Sequence, residues 1–175
     1  ALYTYAHLRE RFKAQRQISA GDLPALAAKL ALLGTAIREL TRAGYRYSSS
    51  VYPVRHDHYG MPDAPRFPYD ARPGLVEIPL TTTRLFERNL PAGGGGYFRL
   101  APYALSRWAL RRVNRLDRRP AIFYFHPWEI DPEQPRVSGT SLKTRFRHYV
   151  NLDKTEARLS RLLGDFSWGR VDQVF

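Results

Sequence analysis

The 175-residue chain carries 28 Lys+Arg against 16 Asp+Glu, a formal charge of +12, with 43% hydrophobic and 13% aromatic residues. This composition suits one folded domain with a core and excludes a disordered chain; no apolar run reaches the roughly eighteen residues of a spanning helix. With no cysteine, disulfides and thiolate metal sites are excluded, which fits a cytoplasmic setting.

In chain order, Leu8 and Phe12 sit four apart among Arg9, Arg11, Lys13 and Arg16 and read as a short basic amphipathic helix. Asp22 is placed to cap a longer helix in which Leu26, Leu30, Leu33, Ile37 and Leu40 recur every three or four positions, with Pro24 in its first turn and Gly44 at its end. Residues 45–73 are rich in proline, aromatics and turn formers; Tyr45-Arg-Tyr47 reads as a short strand that leads into an ordered loop. Residues 75–80 are the next strand. The glycines at 93–96 lack the lysine and hydroxyl of a phosphate-binding loop, so they read as a tight loop packed against a pocket. Pro102 opens a helix with Leu105, Trp108, Ala109, Val113 and Leu116 on one face. Residues 121–125 are a continuous apolar run ending on His126, which reads as a strand buried on both faces. Asp153-Lys-Thr-Glu156 reads as the capping box of a last helix that buries Leu159, Leu162, Leu163 and Phe166. This succession gives an α/β fold class.

A titratable group at the carboxyl end of a buried strand is where α/β folds collect their chemistry, which makes His126 the first catalytic candidate. The plainer alternative is a histidine that caps a core strand on backbone. His56, Asp57 and His58 offer the ligand types zinc prefers, and need a further ligand such as His126 or Asp131; the competing reading is a hydrogen-bonded loop. Glu129 and Asp131 either orient the imidazole, bind substrate or are surface charges. The arginines are dispersed, with Arg111-Arg112 and Arg118-Arg119 the only doublets. No recognised nucleic-acid motif accompanies them, so nucleic acid is not an expected partner.

Ordered motifs then resemble one family. They are Gly44-Tyr-Arg-Tyr-Ser-Ser-Ser-Val-Tyr-Pro53, Arg55-His-Asp-His-Tyr-Gly60, Pro62-Asp-Ala-Pro-Arg-Phe-Pro68, Glu77-Ile-Pro79 and Asn89-Leu-Pro91. They continue in Gly93-Gly-Gly-Gly-Tyr-Phe-Arg99, Phe123-Tyr-Phe-His-Pro-Trp-Glu129, Arg145-Phe-Arg-His-Tyr-Val-Asn-Leu-Asp153 and Phe166-Ser-Trp-Gly169. Residues 44–175 thereby resemble the polysaccharide deacetylases of the NodB-homology superfamily, in the branch tied to exosortase/PEP-CTERM exopolysaccharide loci.

The resemblance implies the C-terminal portion of a distorted (β/α) barrel with added loops and a C-terminal helix. It implies metal-assisted hydrolysis of N-acetyl groups on an acetylated polysaccharide, with zinc as the usual divalent metal, an Asp base, and a late histidine that protonates the leaving amine. His126 matches that histidine, and Tyr97, Arg99, Trp128 and Glu129 fall at the substrate. The early Asp motif and the His-x-x-x-His pair have no counterpart, and Tyr47-Ser48-Ser49-Ser50 stands where relatives read Tyr-Asp-Ser-Ser. Residues 1–43 form a divergent, mostly helical segment. The expectation is thus a bacterial cytoplasmic protein inactive alone, which needs a missing N-terminal half or self-associates through open edges. The alternative is a non-catalytic saccharide- or partner-binding remnant.

Overall fold

The computed structural model describes residues 23–55 and 60–175, with side chains from residue 31 onward. The short basic helix at Leu8 and Phe12 and the cap at Asp22 lie outside these residues. Helix α1 (Leu23–Arg42) ends at the predicted glycine: Tyr45 N–H donates to Leu40 O at 3.0 Å and Gly44 N–H to Thr41 O at 3.1 Å, with Gly44 at φ +80°. Only a residue without a Cβ adopts that left-handed turn cheaply. Leu33, Ile37 and Leu40 of α1 pack on Tyr69, Ala71 and Leu75. The last three belong to a three-stranded sheet of order β1-β3-β2. β1 (Tyr47–Ser48) runs parallel to β3 (Leu75–Glu77), and β2 (Tyr69–Arg72) antiparallel to it with a bulge between Asp70 and Arg72.

Glu77 is fully buried at the end of β3, where its Oε1 accepts the Ser50 and Val51 N–H groups at 2.5 and 2.8 Å. Burial, with the Glu77 carboxylate adding to it, pushes the Tyr69 phenol well above its ordinary value. This compact unit ends at Leu80, and a second spans Thr81–Phe175. The two compact units divide at 80/81, with the apolar stripe of α1 packed on β2 and β3.

The second unit opens with a hairpin of β4 (Thr82–Leu85) and β5 (Arg88–Pro91). Its turn residues Phe86 and Glu87 both have positive φ, 47° and 61°, the geometry usually given to Asn-Gly. An Arg84–Glu87 ion pair spans the turn. Helices α2 (Gly95–Leu100) and α3 (Tyr103–Arg112) follow, and α3 runs on into a π turn, Val113–Asp117. Beyond a 3-10 turn at Pro127–Ile130 come α4 (Leu142–Tyr149), α5 (Leu152–Asp165) and α6 (Val171–Val174). The core joins Phe98, Tyr103, Leu110 and Leu162, with Phe123, Leu159 and Phe166 packed against it.

Three expectations change. The run 121–125 is held to one neighbour by a single parallel bridge, Gly94–Tyr124, with Tyr124 N–H on Gly93 O at 3.2 Å and Gly95 N–H on Tyr124 O at 3.0 Å. With a partner on one edge among the described residues, residues 121–124 are half-buried rather than buried on both faces, and Phe125 is 39% exposed. On α3 the buried stripe is Tyr103, Ser106, Ala109 and Leu110, while Leu105, Trp108 and Leu116 are exposed. Ala109 and Val113, both expected on the packed face, are buried. The helix expected from Asp153, α5, starts at Leu152, after Asn151 in the left-handed region at φ 51°. Asp153 is thus already in its first turn, and Leu163 is exposed while Leu162 is fully buried.

Candidate functional site

The glycine tract positions everything that follows. A Cβ on Gly93 would meet Ile122 O at 2.2 Å, one on Gly94 the Tyr124 ring at 3.0 Å, and one on Gly95 the Glu129 carboxylate at 2.0 Å. These three glycines let the chain lie directly against residues 122–124 and the 3-10 turn, the close-packed loop that the sequence predicts. Gly96 faces open space. From this loop α2 carries Arg99 inward to Glu129.

Arg99 and Glu129 form an ion pair, Nε to Oε1 at 3.0 Å, with each side chain 2% exposed. The guanidinium also donates from its NH1 nitrogen to His148 O and Val150 O at 2.8 and 3.1 Å, and from NH2 to Arg147 O at 3.2 Å. Glu129 Oε2 accepts the His126 backbone N–H at 2.8 Å. One buried pair therefore fastens the His126 turn, α2 and the end of α4 together. Desolvated charges of this kind are tolerable only because nearly every donor finds an acceptor. Arg99 and Glu129, expected at the substrate, spend their polar atoms inside the protein.

The aromatic groups sit at the surface above this pair. The His126 ring lies parallel to the Trp128 indole, centroids 5.9 Å apart and planes 8° apart, and the His148 ring stacks on the same indole at 4.3 Å and 11°. The Arg99 guanidinium carbon lies 5.0 Å from the Trp128 ring centre, and Tyr149 meets His148 edge-on at 4.5 Å. Gln134 Nε2–H donates to Trp128 O at 2.7 Å and to Asp131 O at 3.0 Å. Its oxygen is then the acceptor toward His148, 2.8 Å from Nε2, which places a proton on Nε2. His126 is exposed, and among its described neighbours are the rings of Tyr124 and Trp128.

His148 and Gln134 join the site without having been singled out as site residues. The Arg145–Asp153 motif that contains His148 was the available signal. Tyr97 lies elsewhere, half-buried in a separate concavity with Leu90, Leu105 and Trp108. His56, Asp57 and His58 lie outside the described residues.

The fit to a metal can be tested on the donors present. Zinc needs about three nitrogen or carboxylate ligands converging on one point. Glu129 is committed to Arg99 and to backbone, Asp131 Oδ1 accepts the Glu133 N–H at 3.0 Å, and His148 Nε2 is taken by Gln134. No group of three His, Asp or Glu gathers among the described residues, so these residues do not fit the metal.

Residues 49–175 match the family described as Domain of unknown function (DUF3473), and the chain belongs to that family. It is a domain found in polysaccharide deacetylase-like proteins. A short similarity of another kind exists as well. An oxygen-independent coproporphyrinogen III oxidase of Pseudomonas aeruginosa is 43% identical over 63 residues, 36% of this chain and 12% of that protein. The Salmonella typhimurium and Escherichia coli proteins of the same name are 40% and 38% identical over the same length and shares. The chain thus spans 12% of the length of these curated relatives, far too little to carry their activity across. No solved structure matches the chain. Among the described residues, no helix is long and apolar enough to cross a membrane.

Proposed function

We propose that this chain is the acid-bearing and sugar-binding part of a polysaccharide deacetylase-like protein, from the C-terminal side of a distorted (β/α) barrel. The observation that carries the reading is the exposed His126 beside the Trp128–His148 stack, braced from beneath by the buried Arg99–Glu129 pair. The exposed His126 ring and the accessible part of the Trp128–His148 stack offer aromatic surface to the C–H face of a pyranose ring. His126 beside it is in reach of the nitrogen of an N-acetyl group on that ring, and its role is to protonate that nitrogen as the C–N bond breaks. Arg99 and Glu129 are positioning residues, and Trp128 is the contact surface.

The described donors do not by themselves assemble a metal site, so no step is assigned to one. Hydrolysis needs further groups, and the described residues alone are inactive in this reading. That same deficit favours a second reading, a saccharide-binding module without catalysis. Calorimetry with N-acetylated chitotetraose and its 2-hydroxy analogue cellotetraose separates the two. The proposal requires tighter binding of chitotetraose, a preference reduced in His126→Ala, and binding of both lost in Trp128→Ala. Equal affinity for the two tetramers would leave the binding module, and no binding of either would end both.

A further inference from the structure

We propose a second saccharide site, selective for an acidic sugar residue, in the cavity at the far end of residues 121–126 from His126. It rests on the polysaccharide reading above and names the substrate class more closely. The cavity measures about 590 Å³ and lies between the π turn, the start of the apolar run and the C-terminal tail, a size typical of ligand sites.

Its floor is aromatic. Trp168 meets Phe123 edge-on at 6.5 Å and Phe166 at 6.3 Å, and its Nε1–H points to Leu162 O at 3.4 Å. The indole is held in orientation yet stays 42% exposed, so it presents a fixed apolar face to a ligand.

The rim is cationic. Arg107 and Arg111 share Asp165, at 3.0 and 4.0 Å, which consumes one of their two charges. Arg115, one turn further on, is exposed and has no ion-pair partner among the described residues. Arg111 and Arg115 line the cavity together with Asp165; because Arg107 and Arg111 both engage that carboxylate, the mouth keeps an excess positive charge in groups shaped to grip a carboxylate, sulfate or phosphate. Asn114 and Ser167 interrupt the apolar wall. A hydroxylated ring suits such mixed lining, whereas an acyl chain would be better served by a uniformly apolar slot. The stretch to His126 spans five residues at roughly 3.3 Å each when extended. Separate sugars of one acidic polymer can therefore occupy the two sites.

The test uses the full chain and NMR titration with tetragalacturonate, cellotetraose and chitotetraose, with inorganic phosphate as the bare anion. The acidic tetramer should bind at least fivefold tighter than cellotetraose and weaken severalfold between 50 and 300 mM salt, on the order expected for one or two ionic contacts. Arg115→Gln, an exposed change that leaves the core intact, should cost about fivefold for tetragalacturonate and nothing for chitotetraose. Trp168→Phe should weaken it while His126→Ala does not. The inference is overturned if the acidic tetramer shows no advantage, if Arg115→Gln leaves it unchanged, if His126→Ala abolishes it, or if inorganic phosphate competes as well as the sugar. Failure of chitotetraose alone would sink the deacetylase reading and leave this site standing.

Discussion

Replacing Arg99 by methionine should be among the most damaging single changes in the Thr81–Phe175 unit. The guanidinium is 2% exposed and supplies four hydrogen bonds, one to Glu129 and three to backbone carbonyls at the end of α4. Its loss strands a carboxylate of equal burial. Breaking a buried pair by removing one partner costs about 3–5 kcal/mol, which at a urea m value of about 2 kcal/mol/M lowers the midpoint by about 2 M. The Trp128 environment should change with it, because the brace beneath the stack is gone. The double variant Arg99→Met/Glu129→Leu should recover much of the loss, since no charge is left unpaired. Urea unfolding followed by tryptophan fluorescence measures all three. A loss below about 1 kcal/mol for Arg99→Met, or a double variant as unstable as the sum of the singles, would refute the bracing argument.

Gly95→Ala places a methyl carbon 2.0 Å from Glu129 Oε2 and should destabilise by about 1–3 kcal/mol, as overpacking does. Gly96→Ala, with nothing within 4 Å, should be neutral or stabilise by up to about 1 kcal/mol; equal effects in thermal melts would contradict the packing described. The Tyr103 hydrogen bond, joined by Arg107 and Arg111, holds the Asp165 carboxyl below its ordinary value. Its contribution is present above the unfolded carboxylate pKa and fades as pH falls through the lower folded value, so Asp165→Asn should flatten the acid limb of stability against pH, below about pH 4. Burial first, then Asp165, pushes Tyr103 up to about 12. Stability should accordingly decline from about pH 10 toward pH 12 as the unfolded phenol ionises first, a decline that Tyr103→Phe removes.

The parts legible in the sequence are those where one strong local signal acts alone. Gly44 ends α1 as predicted because a left-handed residue there has no competitor. The 93–95 glycines read as close packing because the phosphate-binding residues are missing, and the structure fills their Cβ positions with Ile122, Tyr124 and Glu129. The β4–β5 hairpin was hidden because Phe86 and Glu87 carry none of the usual chemistry for positive φ. Helix α4 was hidden as well, since its only signal is the Ser141 cap over an exposed segment. On the helix that opens at Pro102 the apolar count found Ala109 and Val113 on the buried face but also took in Leu105, Trp108 and Leu116, which are exposed. Of the candidate site, His126 was legible because it ends an apolar run, and Trp128 because it follows two residues on. The burial of Glu129 was not, because its partner Arg99 lies thirty residues away and no local pattern links them.

The most direct test of the central claim is an NMR titration of the wild-type chain with chitotetraose, following the His126 and His148 imidazole protons and the Trp128 indole. Saturable shifts of His126 and Trp128 at one common affinity are expected, with smaller shifts for cellotetraose. Binding that leaves both resonances unmoved, or no binding of chitotetraose, would contradict that claim.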